Sequence, residues 1–275
     1  MKINILVTLD RNYIPQLRVL LTSLYINHPG QQFDIYLLHS NIPDADISKL
    51  SDELKRLQFE LIPVRASDDV FDGAQISDRY PKEMYYRLLA AVYLPKSLDK
   101  ILYLDPDILI INPLYELWSA DISQHLFAAA SHTGKTNIAN DVNHIRLNID
   151  NDYYNSGVLL MNLEACRREI DPKDVFDYVG EHSGELFLPD QDVLNALYGD
   201  RILPIDDIIW NYDARKYSNY MMRSGGTADT EWVMAHTAVM HYCGREKPWK
   251  RNYLRRFGTI YRHYMSLTER YLGTK

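Results

Sequence analysis

The chain has only two cysteines, Cys166 and Cys243, among its 275 residues. That is too few for a disulfide framework, and a reducing, cytoplasmic compartment is expected. It has no apolar run approaching the roughly 18 residues that a membrane span needs. The short apolar stretch at the start is cut off by Asp10; it is too short for a secretory leader and reads as a first strand. Glycine and proline number 12 each, with no low-complexity tract, repeat or linker, so a single domain is expected. Excess positive charge is also missing. The net charge is −7, which argues against a nucleic-acid partner. What remains, 46% hydrophobic and 24% charged residues, is the composition of an ordinary globular protein.

The basic residues that are present gather at one end. Residues 245–275 hold nine Lys/Arg against two acids, a local +7 that leaves −14 on the rest. A basic end on an acidic body suits an anionic partner such as a phosphate, an anionic membrane surface or nucleic acid, and a solvated basic helix is the plainer reading of the charge alone. Arg251, Arg255, Arg256 and Arg262 alternate there with Tyr253, Phe257, Tyr261 and Tyr264. This predicts a basic, aromatic helix over 251–275, packed on the domain or resting on a membrane; packing is the plainer reading.

Apolar periodicity places the first elements. Ile3–Thr8, Phe33–His39 and Phe59–Pro63 read as strands. Residues 13–27 and 44–57 read as helices, with Leu17, Leu20, Leu21 and Leu24 on one face of the first. This βαβαβ order predicts an α/β fold with a parallel sheet covered on both sides. A loop is expected over 66–79 and a helix over 81–92, followed by a strand at Ile101–Leu104. Leu126–Ala130, Val158–Asn162 and Val239–Tyr242 are further strand candidates, residues 133–152 a polar connection, and Asp190–Tyr198 a short helix.

The strand at Ile101–Leu104 runs into Asp105-Pro106-Asp107. Residues i and i+2 of an extended segment face the same side, so both carboxylates can serve one site. Pro106 donates no ladder hydrogen bond, so the strand ends or goes unpaired there. Two close carboxylates repel unless a cation or proton lies between them, and carboxylate oxygens suit Mg²⁺ or Mn²⁺. A solvated turn is the other reading of this short motif. His241, after the late strand, offers one more ligand or else serves as a hydrogen-bonded core histidine. Gly244 allows close backbone approach to a phosphate, and Lys247 supplies a point charge or covers Trp249 with its stem. Asp190 and Gln191 open a helix, where Asp190 suits either an N-cap or a sugar contact. Arg87 stands on an otherwise apolar helical segment, paired structurally or reaching a site.

Taken in order, Thr8-x-Asp10-x-Asn12-Tyr13, Tyr86-Arg87, Leu102-Tyr103-Leu104-Asp105-Pro106-Asp107, Tyr154-Asn155-Ser156-Gly157-Val158, Asp190-Gln191-Asp192 and His241-Tyr242-Cys243-Gly244 with Lys247-Pro248-Trp249 resemble glycosyltransferase family 8. That family includes bacterial lipopolysaccharide galactosyl- and glucosyltransferases and is related to glycogenin. The resemblance runs from Ile3 to about Asn252. It implies a GT-A fold, a Rossmann-like, mainly parallel twisted sheet flanked by helices, over residues 1–250. It implies a UDP-hexose donor, a saccharide or glycolipid acceptor, and Mn²⁺ with Mg²⁺ as the alternative. Thr8, Asp10, Asn12 and Tyr13 would then meet the uridine, and Asp105, Asp107 and His241 the metal. Gly244 and Lys247 would hold the phosphates, while Arg87, Asn155, Asp190 and Gln191 would contact the donor sugar. The expected activity is hexosyl transfer with retention of configuration, in lipopolysaccharide biosynthesis, at the cytoplasmic side. Retention points to Gln191 or Asp190 as the group beneath the reacting carbon; the amide of Gln191 is a poor nucleophile, which favours front-face attack. One departure stands at His132, where some galactosyltransferases carry an acceptor-binding aspartate. Two other classes compete. A phosphohydrolase of the haloacid dehalogenase type also places D-x-D after a strand, but it usually wants Thr or Val where Leu109 stands, and its pair usually lies near the N-terminus. A non-catalytic nucleotide-sugar binding protein would use the same ligands.

Overall fold

The computed structural model describes residues 2–67, 85–131, 146–147, 149–182 and 184–273. Its centre is a seven-stranded sheet in the order β3-β2-β1-β4-β7-β6-β8. These strands are β1 (Ile3–Thr8), β2 (Phe33–His39), β3 (Glu60–Arg65), β4 (Lys100–Leu104), β6 (Phe127–Ala130), β7 (Val158–Asn162) and β8 (Ile202–Ile205). All run parallel except β7, which pairs antiparallel with both β4 and β6. A second sheet, β5-β10-β9, joins β5 (Ile108–Ile110), β10 (Val239–His241) and β9 (Tyr212–Asp213).

Side-chain alternation explains the two faces. In β4, Leu102 and Leu104 pack with the cluster that includes Ile3, Ile5 and Val7, while Ile101 and Tyr103 join the opposite cluster with Leu6 and Tyr36. Both faces are therefore covered, as parallel sheets require. Helix α1 (Ile14–Asn27) buries Leu17, Leu20, Leu21 and Leu24 on the first face. Helix α2 (Asp44–Lys55) follows β2 and is shorter than the pattern to Leu57 suggested. Gln58 there takes φ 58°, a left-handed turn that ends the helix before β3.

Two expectations need correction. The helix expected over 81–92 is a single turn, α3 (Ala90–Tyr93). Residues 85–89 form turns, with the N–H groups of Leu88 and Leu89 both bonded to the Tyr85 carbonyl. Arg87 therefore projects from a turn, not from a helix, and residues 81–84 lie outside the described residues. The C-terminal helix starts at Gly258, not at 251, and runs to Leu272. Tyr253, Phe257, Tyr261 and Tyr264 are buried, packed with Tyr212, Tyr220 and Tyr242 behind the second sheet. These four aromatic side chains thus belong to the core, while Arg251, Arg255, Arg256 and Arg262 remain at the surface. Among the described residues no helix is long and apolar enough to cross a membrane. His132, residues 68–79 of the loop expected over 66–79, and residues 133–145 and 148 of the polar connection expected over 133–152 lie outside the described residues.

Candidate active site

The chain moves outward from β1 to β2 and β3, then returns to the other side of β1 as β4. The gap between the carboxyl ends of β1 and β4 is the topological switch point, where open α/β sheets bind ligands. Thr8 ends β1 and Asp105 follows β4. Because β7 runs the opposite way, its leading residues Asn155, Ser156 and Gly157 reach the same end. Antiparallel pairing of β10 with β5 sets His241 opposite Ile108, one residue beyond Asp107. Strand direction alone therefore brings four distant segments together.

At their meeting point, Asp105, Asp107 and His241 offer ligand atoms that all lie within 4.8 Å of one another. His241 Nε2 is 3.2 Å from Asp107 Oδ1 and 3.7 Å from Asp105 Oδ2. Two ligands about 2.1 Å from one cation at right angles stand about 3 Å apart, so this spacing fits a divalent ion. Gly157 makes the room. A Cβ there would lie 2.7 Å from Asp105 Oδ2 and also collide with the His241 ring.

The carboxylates are held from behind. Asp105 Oδ1 accepts from the Tyr103 phenol at 2.6 Å and pairs with Arg87 Nη1 at 2.9 Å. The Tyr103 hydroxyl also meets Thr8 Oγ1 at 3.1 Å. Arg87 lies over the Tyr103 ring and reaches Asp190 Oδ2 at 3.4 Å and the Ser156 carbonyl at 3.3 Å. Burial works against its charge, but Asp105 and Asp190 outweigh it and keep the guanidinium charged. Burial likewise opposes an ionised Asp107, yet His241 and Lys247 hold its carboxyl well below the usual carboxylate range. For His241, burial disfavours the imidazolium; a Cys243 thiolate and then the Asp107 carboxylate raise the ring well above the ordinary histidine value, and with Cys243 neutral the acting group is Asp107. The Cys243 thiol beside it is itself pushed up by burial and stays neutral.

Lys247 Nζ sits on Asp107 Oδ2 and donates to the Tyr242 carbonyl at 3.0 Å. Gly244 has φ 85°, which favours glycine, and a Cβ there would also push aside the Arg215 guanidinium, 2.5 Å away at Nη1. Asp190 is no N-cap: the helix Pro189–Tyr198 begins after Leu188, and Asp190 is buried inside its first turn, accepting from Ser156 Oγ at 2.8 Å. The helix has no side-chain cap; Asp192 instead ties down the segment before it, accepting from the Phe187 and Leu188 N–H groups and pairing with Arg146. Gln191 Oε1 accepts from Asn155 Nδ2 at 2.9 Å and from the Ser156 N–H at 3.4 Å. Asp10, Asn12 and Tyr13 lie just past β1 at the surface, with Asp10 capping the turn through the Asn12 N–H. The Tyr13 ring stands edge-on to Trp249 at 6.3 Å, which joins this segment to the Lys247 segment. Tyr103, Ser156 and Asn211 also touch these groups; the sequence motifs include Tyr103 and Ser156 without giving them a role, and Asn211 stands in none of them. Tyr103 reads as strand core, and Asn211 has no local motif.

The doubly covered α/β sheet, with paired carboxylates, an imidazole and a lysine at its switch point, fits the GT-A fold expected from the sequence. Residues 4–253 match the model of glycosyl transferase family 8, and the chain belongs to that family. General stress protein A of Bacillus subtilis is 25% identical over 94% of this chain and 92% of its own length. Lipopolysaccharide 1,2-glucosyltransferase of Escherichia coli is 26% identical over 88% of this chain and 71% of its own length. The solved structure of the galactosyltransferase LgtC with donor and acceptor sugar analogs superposes with a TM-score of 0.80 at 24% identity, over 99% of this chain and 97% of that one. Family membership removes the phosphohydrolase reading.

Proposed function

We propose that this glycosyltransferase moves a hexosyl group, glucose or galactose, from a UDP-sugar to a saccharide or lipid-linked saccharide with retention of configuration. In this reading Asp105, Asp107 and His241 hold Mn²⁺, with Mg²⁺ as the alternative. The observation that carries it is the convergence of those three ligand groups in a space kept open by Gly157. A divalent cation bound there supplies positive charge beside the departing diphosphate. Lys247 adds a second charge by turning from Asp107 to a phosphate oxygen, stabilising the leaving group where its charge develops. Thr8, Asp10, Asn12 and Tyr13 line the way to the uridine, and Gly244 lets the backbone approach the phosphates.

Arg87, Asn155, Asp190 and Gln191 face the donor sugar in this account. Retaining hydrolases place a carboxylate nucleophile beneath the anomeric carbon. Here the Asp190 carboxylate is engaged by Arg87 and Ser156, and the Gln191 oxygen carries two donors. Both observations favour front-face attack, in which the departing phosphate oxygen takes the proton of the acceptor hydroxyl. Trapping a covalent sugar on Gln191 or Asp190 would overturn that route.

Arg251, Arg255 and Arg256 are exposed, so contact with an anionic membrane would be electrostatic and sensitive to salt. Co-sedimentation with liposomes that is indifferent to anionic lipid would remove it. The donor assignment is tested by thermal shift with UDP-glucose and UDP-galactose, each with and without Mn²⁺. A bound ligand raises the melting temperature according to its affinity. A shift that needs both sugar nucleotide and metal is expected, together with slow donor hydrolysis. No shift with any pair, or binding without hydrolysis or transfer, contradicts the proposed function.

A further inference from the structure

The buried amide of Asn211 meets two of the groups assigned above, His241 and Asn155. Its orientation can be deduced from backbone groups that have no choice of role. The Gly157 N–H can only donate, and it meets Asn155 Oδ1 at 3.0 Å. The Asn211 atom 2.8 Å from that same oxygen must therefore be its Nδ2. Asn211 Oδ1 is then the atom facing His241 Nδ1 at 2.9 Å, so Nδ1 carries the hydrogen. That leaves Nε2 as the ring atom turned toward Asp105 and Asp107. The other arm of Asn155 extends the chain. Its Nδ2 donates to Gln191 Oε1 at 2.9 Å, and the Ser156 N–H, another fixed donor, meets the same oxygen at 3.4 Å. Asn155 and Gln191 are thus each anchored by a backbone N–H, and Asn211 takes its orientation from Asn155.

We infer that Asn211 is a positioning residue that fixes the His241 tautomer for metal ligation and, through Asn155, fixes which end of the Gln191 amide faces the donor sugar. The inference rests on the metal reading given above. It is physically distinct from it, because the three ligands could converge without any such chain. Ligand histidines generally need a partner on the second ring nitrogen, and losing that partner weakens metal affinity about 10–100-fold. Asn211 is fully buried, which keeps water from replacing it. An aspartate at 211 would still accept from Nδ1 but could no longer donate to Asn155. Its oxygen would face Asn155 Oδ1, so either the two repel or the amides of Asn155 and Gln191 turn over against the Gly157 and Ser156 N–H groups, while the metal end stays intact.

The two halves are separable by experiment. Mn²⁺ affinity is read from the EPR signal of the free ion, and donor hydrolysis is followed with UDP-glucose or UDP-galactose. For Asn211→Ala, Mn²⁺ binding about 10–100-fold weaker than wild type is expected. For Asn211→Asp, the isosteric variant, Mn²⁺ affinity within about threefold of wild type or tighter is expected, with kcat for hydrolysis lowered at least about tenfold. A purely structural role would move both readouts together in both variants. Wild-type Mn²⁺ affinity in Asn211→Ala overturns the inference alone, as does loss of metal affinity beyond tenfold in Asn211→Asp. A wild-type protein that fails to bind Mn²⁺ or Mg²⁺ overturns the metal reading, and the relay with it.

Discussion

Gly157→Ala adds a single methyl group at the point where β7 passes the ligand cluster. That methyl would lie 2.7 Å from Asp105 Oδ2 and collide with the His241 ring. Ordinary contacts between carbon atoms are about 3.5–4.0 Å, so one side must give by about 1 Å. The backbone has little freedom to withdraw. The Gly157 carbonyl accepts from the Asp105 N–H at 2.9 Å, and the Gly157 N–H is tied to Asn155. The side chains are confined as well, Asp105 by Tyr103 and Arg87, and His241 by Asn211. The displacement therefore falls on the ligands. A misplacement of about 1 Å at a reacting centre lowers rate by about 10²-fold. Overpacking of a tight site costs about 1–3 kcal/mol in stability, which is a fall of several degrees in Tm for a chain of this size. The expected outcome is a folded protein with Mn²⁺ affinity reduced about tenfold or more and kcat/KM reduced about 100-fold. Circular dichroism, Mn²⁺ titration and donor hydrolysis measure the three. A variant that melts lower but binds Mn²⁺ and turns over like wild type refutes the claim that Gly157 makes room for an ion.

Three further outcomes follow from the same geometry. Asp107→Asn removes one ligand and the partner of Lys247, and is expected to lower kcat/KM by about 10²–10³, measured at saturating Mn²⁺. Lys247→Ala is expected to reduce kcat by a similar factor of about 10²–10³ while leaving Mn²⁺ affinity close to wild type, and Lys247→Arg should not restore it, since a planar fork does not reproduce a compact ammonium. Because Asp107 raises the His241 pKa above the ordinary value, the metal-free site holds a proton that a cation must displace. Mn²⁺ affinity should therefore rise with pH through the neutral range, by about one decade per unit while the ring is protonated. Affinity that is flat in pH, measured by calorimetry in buffers of different ionisation heat, would contradict the pairing.

Much of this site was legible because its parts follow turns after apolar runs. β1, β2 and β7 have the bounds that their runs of buried residues dictate, and Asp105, Asp107, Asn155 and His241 all stand at strand ends. Short elements escaped. β9 has two residues and β5 three, too few for any periodicity to register. The segment Met84-Tyr85-Tyr86-Arg87-Leu88 reads as an apolar helix carrying Arg87, and Tyr85, Tyr86, Leu88 and Leu89 supply its apolar side chains. All four are buried, but burial here comes from turns pressed onto the sheet. Asp190 has the look of an N-cap, and only the tertiary pairing with Arg87 and Ser156 shows otherwise. Asn211 was invisible since its partners, Asn155 and His241, lie 56 and 30 residues away.

The central claim is that Asp105, Asp107 and His241 share one divalent ion. Pulsed EPR of Mn²⁺ bound to ¹⁴N protein reads it directly, through the coupling of a ligating imidazole nitrogen to the metal. The wild type should show that coupling, and His241→Gln should lose it. Bound Mn²⁺ with no nitrogen coupling in the wild type, or with coupling that survives in His241→Gln, would contradict the account.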